Sequence, residues 1–165
     1  MTTGRRAYVK AGRIIGPIAF IGLKVYTFMT NRPRVRVLVT NEHGEILLVR
    51  GIISHLGWWT LPGGGVNRKE PLAEAASREL HEETGIKKPA SAFRHLRTVE
   101  KHELGLGFVA PVFHIEAKRS ELPKKQHNPA EIAEINWFKM DELPRQSAPI
   151  VFLAVDEFAP ETKQR

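Results

Sequence analysis

The sequence contains no cysteine among its 165 residues. Disulfide scaffolds, zinc sites built on thiolates and cysteine nucleophiles are therefore excluded. Long apolar runs are also missing. The uncharged run of residues 14–23 would span only about 15 Å as a helix, against about 30 Å of bilayer hydrocarbon. Hydrophobic residues make up 42% and charged residues 26% of the chain, which favours one folded domain over a disordered or multi-span membrane protein.

Acidic residues are absent from residues 1–41, which hold eight of the 25 lysines and arginines. The net charge of +7 comes from this segment, since the rest of the chain carries 17 basic against 18 acidic residues. Such a segment either keeps the chain in solution or attracts phosphates, anionic lipid or nucleic acid. We predict that residues 1–34 form a basic and apolar helical arm, which docks on the domain, on a partner or on a membrane surface. The lack of a small-residue cleavage site disfavours an export signal.

Beyond this arm, the pattern predicts a single mixed α/β domain over residues 35–160. The predicted strands are residues 35–40, 45–50, 58–61, 93–103, 108–117 and 135–140. The predicted helices are residues 71–84, which begin with a proline and stop at Gly85, and residues 149–158. Because repeated strand–helix–strand units are absent from this order, we expect a mostly antiparallel sheet.

Three glutamates of the first predicted helix lie beside its apolar face. That face consists of Leu72, Ala75, Ala76 and Leu80. At 100° per residue, Glu79, Glu82 and Glu83 fall in an arc of about 100° that overlaps it. Carboxylates this close repel one another and are costly to remove from water. A divalent cation with a preference for oxygen ligands, Mg²⁺ or Mn²⁺, relieves both costs, so the pattern predicts a metal site.

The loop before this helix suits such a site. Gly63, Gly64 and Gly65 let the backbone approach a metal or a phosphate without a Cβ in the way. The N-terminus of the helix adds partial positive charge. Arg78 lies one helical turn before Glu82, so an ion pair between them can hold the carboxylate in place.

These residues stand at the spacing of a known motif. Gly64, Glu70 and the run RELHEETGI at residues 78–86 are similar to the Nudix box, with no position missing. The flanking residues 59–63 and 137–144 agree, so the sequence resembles the Nudix family over roughly residues 35–145. The resemblance implies a Nudix fold, an α/β/α sandwich around a mixed, mostly antiparallel sheet. It also implies Mg²⁺-dependent hydrolysis of a nucleoside diphosphate linked to another group, with Mn²⁺ able to substitute.

The resemblance also implies roles for individual residues. By position in the motif, the implied metal ligands are Glu79, Glu82, Glu83 and the Gly63 carbonyl. The implied structural members of the box are Gly64, Glu70, Arg78 and Gly85. In such enzymes the metal lowers the pKa of a bound water, and a carboxylate takes its proton. The family draws this base from the box or from a later loop. The catalytic candidates are therefore Glu79, Glu82, Glu83 and Glu131, and we prefer Glu131 as the additional ligand or base.

Two positions depart from a pattern that many members share. Asn67 stands where they have glutamate, and Lys69 stands where they have glycine. The resemblance therefore does not determine the conformation of this loop. Arg68 and Lys69 are candidate contacts for substrate phosphates. Further substrate-binding candidates are Arg50 for a phosphate, and Trp58 and Trp137 for stacking on a base.

The preferred interpretation is a cytoplasmic, Mg²⁺-dependent pyrophosphohydrolase of a (d)NTP, an oxidised nucleotide, a nucleotide sugar or a dinucleotide. One alternative is a Nudix domain that senses a nucleotide without turnover, which the complete carboxylate set disfavours. The other is an RNA 5′-end pyrophosphohydrolase that uses the basic arm. Nucleic acid is disfavoured as a partner because no RNA-binding motif with interleaved aromatics is present. A homodimer and a peripheral membrane contact through residues 1–34 are left open.

Overall fold

The computed structural model describes residues 32–52, 57–105, 107–124 and 131–162. Five strands form: β1 (Arg36–Thr40), β2 (Glu45–Gly51), β3 (Arg94–Val99), β4 (Ala110–Glu116) and β5 (Ile132–Lys139). The two helices are α1 (Leu72–Thr84) and α2 (Pro149–Thr162). Short 3-10 helices lie at Ala90–Ala92 and Arg119–Glu121. The predicted arm at residues 1–34 lies outside the described residues, apart from residues 32–34.

The five strands form one sheet in the order β3-β4-β1-β2-β5. β1 runs parallel to β4, with Arg36 opposite Val112. The pairs β1–β2, β2–β5 and β3–β4 are antiparallel. The prediction of a mixed, mostly antiparallel sheet is therefore confirmed.

Each face of the sheet carries one helix. Val37 and Val39 of β1 pack in one buried cluster with Leu80 of α1, whereas Leu38 packs in a second cluster with Val151 of α2. This alternation follows from the period of two along a strand. Full burial of a side chain such as Leu80 contributes about 1.5–3 kcal/mol. The expected α/β/α sandwich is thus confirmed.

Helix α1 ends as its sequence indicates. Gly85 adopts the left-handed conformation with φ of 82°, and its N–H donates to the His81 carbonyl, which satisfies one of the last carbonyls of the helix. At the other end, Leu72 is 38% exposed. The prediction that Leu72 joins the buried face is wrong, because the helix reaches the sheet only from Ala73 onward.

Several predicted strand ends are displaced. The strand predicted at 93–103 stops at Val99, since residues 100–105 turn back towards β4. The last strand begins at Ile132 rather than at residue 135, because Ile132 is buried and pairs with Gly51. Helix α2 continues past residue 158 to Thr162. These ends depend on tertiary pairing, which local patterns do not report.

The chain between β2 and α1 lies between β1 and β2. Thr60 pairs with Val49 of β2, in place of the short strand predicted at 58–61. Pro62 accepts a hydrogen bond from the Val37 N–H of β1, and Gly65 pairs with Arg34. The glycine loop is therefore held by backbone hydrogen bonds to β1. In the part of the chain that is described, no helix is long and apolar enough to cross a membrane.

Candidate active site

Arg78 connects the glycine loop to the acidic side of α1. Its guanidinium donates two hydrogen bonds to the Glu70 carboxylate, at 2.8 and 3.0 Å. It also donates to Glu79 at 2.8 Å and to Glu82 at 3.2 Å. A further bond of 2.9 Å reaches the Gly65 carbonyl. The Glu70 carboxylate is the first cause of the raised pKa of Arg78. One cation thus orients three carboxylates and the loop backbone, which fits its position in the motif.

The structure shows how the loop accommodates Asn67 and Lys69, the two residues that depart from the family pattern. The Glu70 carboxylate accepts a hydrogen bond of 2.8 Å from the Asn67 N–H, a contact that needs no particular side chain at residue 67. Lys69 has φ of 63° and is the one non-glycine residue with positive φ in the described ranges. Glycine is the residue that adopts this conformation without strain, and another residue there costs about 1–2 kcal/mol. The loop keeps its course at the cost of strain at Lys69.

Glu83 lies at the inner end of the site. Its Oε2 accepts a hydrogen bond of 2.8 Å from the Gly63 N–H. The pKa of Glu83 is raised to about 7: burial is the first cause, the charges of Glu79 and Glu131 act in the same direction, and this hydrogen bond and Arg36 act against it. Glu131, which lies directly before β5, is therefore near enough to Glu83 to act on its ionisation.

Glu79 lies directly against the backbone of Gly64. A Cβ built on Gly64 would overlap the Glu79 carboxylate, so a side chain here would displace that carboxylate. Burial is the first cause of the raised pKa of Glu79, and the hydrogen bond from Arg78 opposes it. The neighbouring Gly63 has φ of 142°, and a Cβ there would overlap the Val35 carbonyl. Close approach of the backbone therefore requires glycine at residue 63, whereas at residue 64 glycine leaves room for the Glu79 carboxylate.

Sequence reasoning missed two cations of this site. Arg36 donates a hydrogen bond of 2.6 Å from Nη1 to the Gly63 carbonyl. Arg34 lies two residues before Arg36, just ahead of β1, with its guanidinium 5.7 Å from the centre of the Phe108 ring. The charges of Glu79 and Glu83 act on both arginines. Their sequence signal was two arginines at alternate positions of a strand, which we assigned to the basic segment at residues 1–41.

The proposed substrate-binding residues do not form one cluster. Arg50 stacks over the Trp59 ring at 4.5 Å and pairs with Glu134 at 3.5 Å. Arg68 is exposed on the glycine loop and Trp58 is half-buried.

Trp137 lines a cleft of about 570 Å³. Its other lining residues include Thr84 at the end of α1, and Arg119 and Lys124 between β4 and β5. The Trp137 Nε1 is buried without a hydrogen-bond partner in the described structure. The cleft is large enough for a small organic ligand.

The donor set fits a divalent cation in part. Its oxygens are carboxylates, and the raised pKa values of Glu79 and Glu83 indicate buried negative charge that a cation would stabilise. However, no three acidic or histidine side chains of the described residues gather around one point. The Glu82 carboxylate is half exposed and forms an ion pair with Arg78, and the Glu83 carboxylate accepts a hydrogen bond from the Gly63 N–H. Binding an ion therefore requires these two carboxylates to reorient.

Comparison with known proteins agrees with this geometry. A family description, the NUDIX domain, matches residues 30–156. The chain is similar to an RNA pyrophosphohydrolase of Erythrobacter litoralis, with 30% identity over 129 residues that cover 68% of this chain and 79% of that protein. A second RNA pyrophosphohydrolase, from Novosphingobium aromaticivorans, is 28% identical over 147 residues, which cover 77% and 91% of the two chains.

Solved structures give the same result. The MutT NUDIX hydrolase from Burkholderia pseudomallei superposes with a TM-score of 0.65 at 29% identity, covering 76% of this chain and 96% of that one. A bifunctional NMN adenylyltransferase/ADP ribose pyrophosphatase from Francisella tularensis, complexed with AMP and a Mn ion, shares the fold, with a TM-score of 0.63 at 21% identity over 79% of this chain and 42% of that one. The chain belongs to the NUDIX family, whose members matched here are hydrolases of phosphorus-containing anhydrides.

Proposed function

We propose that this protein is a divalent-metal-dependent pyrophosphohydrolase that cleaves a phosphoanhydride bond of a nucleotide-containing substrate. The observation that supports it best is the set of hydrogen bonds from Arg78 to Glu70, Glu79, Glu82 and Gly65. This set orients oxygen donors on one side of α1, next to a loop whose glycines bring the backbone close to these carboxylates. Family membership supports the same reaction class.

The proposed metal ligands are the carboxylates of Glu79, Glu82 and Glu83. A bound Mg²⁺ or Mn²⁺ would neutralise the diphosphate oxygens and lower the pKa of an attacking water. The Gly63 carbonyl, the fourth ligand expected from the motif, already accepts the hydrogen bond from Arg36. Arg78 keeps Glu79 in orientation, whereas Glu82 and Glu83 reorient when the ion binds.

Glu131 is the proposed general base. The electrostatic effect of Glu131 on Glu83 supports its closeness to the ligand set. Its position on the last loop leaves it outside the hydrogen-bond network of Arg78 in the described structure. A box glutamate remains the alternative, because a carboxylate with a pKa near 7, as in Glu83, also accepts a proton at neutral pH.

For the substrate, Arg50 and Arg68 are proposed phosphate contacts, and Trp58 and Trp137 are proposed contacts for a base. Trp137 lines the same cleft as Glu134, which is the ion-pair partner of Arg50.

A substrate screen tests the function. Nucleoside triphosphates, nucleotide sugars and dinucleotides are incubated with Mg²⁺ or Mn²⁺, and the products are identified by mass spectrometry in ¹⁸O-labelled water to locate the attacked phosphorus. We expect hydrolysis that stops in EDTA and in Glu82→Gln. Glu103→Gln, which removes a surface carboxylate bound to Arg97, should retain it. Release of the same products in EDTA, or by Glu82→Gln at the normal rate, would refute the proposal.

The 5′ end of RNA is the second candidate substrate. Two relatives that match over two thirds or more of this chain are named RNA pyrophosphohydrolases. The basic residues 1–41 provide charge for contact with a phosphate backbone.

If RNA is the substrate, a 5′-triphosphorylated oligonucleotide should be hydrolysed with a higher kcat/KM than ATP. Its affinity should fall steeply with salt, and deleting residues 1–31 should reduce that salt dependence. Equal kcat/KM for the RNA and ATP, with no effect of the deletion, would favour a mononucleotide substrate.

A further inference from the structure

Gly63 links two side chains of opposite charge. Its N–H donates to the Glu83 carboxylate at 2.8 Å, and its carbonyl accepts from Arg36 at 2.6 Å. The N–H and the carbonyl belong to the two peptide groups on either side of the Gly63 Cα, which lies against the Val35 carbonyl with a φ of 142°. Moving either side chain therefore leaves one backbone polar group of Gly63 without this partner.

Arg36 reaches this position from the sheet. Strand β1 alternates, so Arg36 shares a face with Leu38, while Val35 and Val37 pack beneath α1. The backbone of Arg36 is itself held in the sheet opposite Val112. The guanidinium is thus attached to a rigid strand rather than to a loop, and its position does not depend on a bound ligand.

Two positive charges lie near the carboxylates around Gly63 before any metal binds. Arg36 and Arg34 act on Glu79 and Glu83, and they oppose but do not cancel the raised pKa values that burial causes. A buried carboxylate without such a partner would be strongly destabilising. The two arginines are two residues apart in sequence and repel each other, so they would not be placed together unless negative charge stabilised them.

We propose that Arg36 is a positioning residue that serves as an internal cation of the active site, holding the Gly63 carbonyl, and through Gly63 the Glu83 carboxylate, before any metal binds. While Arg36 is in place, its hydrogen bond occupies one lone pair of the Gly63 carbonyl, and its charge opposes a cation at the other. This inference rests on the proposed metal-dependent function, since it assigns ligands of the same site.

Removal of Arg36 has two consequences. Without metal, the loop loses the partner of a buried carbonyl and Glu83 loses a compensating charge, so the metal-free protein is destabilised. With metal, the variant lacks a positive charge that repels a divalent ion, and the carbonyl lone pair that accepted from Arg36 becomes free. Because the ion is divalent, the Arg36 charge repels it twice as strongly as it would repel a monovalent ion. We therefore expect the variant to bind the metal more tightly than wild type.

The test compares Arg36→Met with Arg97→Met. Arg97 is also half-buried and forms two ion pairs, with Glu103 and Glu157, but it lies outside the proposed site. Melting is measured in EDTA and in Mn²⁺, and Mn²⁺ affinity and stoichiometry are measured by calorimetry. Arg36→Met should melt below wild type in EDTA, recover most of the loss in Mn²⁺, and bind Mn²⁺ about tenfold more tightly. Arg97→Met should show the same melting loss in both conditions and unchanged affinity.

A second measurement keeps the inference testable if Arg36→Met does not fold. Hydrogen exchange of the Gly63 amide is followed in EDTA in wild type and in Arg36→Lys, which retains the charge but not the planar donor group. The amide should be protected in wild type and exchange about tenfold faster in Arg36→Lys.

Two results would overturn the inference: unchanged exchange at Gly63 in Arg36→Lys, or weaker Mn²⁺ binding by Arg36→Met. If wild type binds no Mn²⁺, the proposed function fails, and the metal-free measurements still decide the role of Arg36.

Discussion

Arg78 and Arg36 both donate to carbonyls of the glycine loop, but their surroundings are opposite. Arg78 lies at the outer end of the site among three carboxylates, and the hydrogen bonds to Glu70 raise its pKa. Arg36 lies at the inner end, where burial and the charge of Arg34 lower its pKa to about 10. The outer end is an ion-pair network in which each charge has a bonded partner. At the inner end the buried Arg36 and Glu83 side chains bond to the carbonyl and the N–H of one glycine, so small changes there have larger electrostatic effects.

The strongest test of this contrast is the removal of the inner carboxylate charge. Glu83→Gln keeps the shape of the side chain but removes a proposed metal ligand, so kcat/KM should fall by about 100- to 1,000-fold. The fold should persist, because the amide oxygen still accepts from the Gly63 N–H. Circular dichroism checks the fold and steady-state kinetics check the loss. Activity close to wild type would remove Glu83 from the metal site.

The outer end should be somewhat less sensitive. Arg78→Gln removes the hydrogen bonds to Glu70, Glu79 and Gly65, and we expect activity to fall by about 10- to 100-fold, as is typical when a residue that orients ligands is lost. Arg97→Gln, which removes a surface ion pair, serves as the matched control and should stay within about 1 kcal/mol of wild-type stability. Equal losses of activity in the two variants would contradict the role of Arg78.

Two neighbouring glycines of the loop test whether glycine is needed for close contact with Glu79 or only for backbone flexibility. Gly64→Ala introduces a Cβ that overlaps the Glu79 carboxylate, whereas a Cβ on Gly65 meets no atom within 4 Å. Neither residue has positive φ. We therefore expect Gly64→Ala to weaken Mn²⁺ binding by about tenfold, and Gly65→Ala to leave it unchanged. Calorimetric titration of both variants distinguishes them, and similar affinities would show that the Glu79 carboxylate can move at no cost.

The smallest effect concerns pH in the metal-free protein. The pKa of Glu83 is about 7 in the folded state and 4.5 in the absence of the fold, so between these values the folded state binds more protons than the unfolded state. Stability in EDTA should therefore decrease as pH rises from about 4.5 to about 7. Thermal melts should show a decrease of a few degrees, about 2–4 °C for each kcal/mol. Glu83→Gln should melt with a flatter pH profile, and an equally steep profile in that variant would assign the effect to another group.

Much of the site could be anticipated because its residues lie close together in sequence. Arg78, Glu79, Glu82 and Glu83 share one helix, whose period places them within two turns of one another. The ion pair between Arg78 and Glu82 follows from that period, and the structure contains it at 3.2 Å. The role of Lys69 could not be anticipated, since a positive φ at a non-glycine residue is decided by the hydrogen bonds around it.

The contacts across the fold could not be inferred in this way. Arg36 and Gly63 are 27 residues apart, and they meet only because the glycine loop pairs with β1. Leu72 belongs to the apolar pattern of α1 yet is exposed, because the helix extends beyond the sheet that would cover its first turn. The spacing of apolar residues in a helix shows which of them share a face. It does not show whether another element packs against that face.

The amino-acid sequence by itself determined the family, the mixed sheet with its two helices, and the acidic helix with its glycine loop, because each depends on local period, on local propensity or on a short motif. Only the tertiary structure decided which charges face one another. It brought Arg34, just ahead of β1, and Arg36, at the start of β1, to Glu79 and Glu83 on α1, and it assigned the Gly63 carbonyl to Arg36. Electrostatic energy depends on distance through space and on burial, and neither quantity is defined until the strands are paired and the helices are packed.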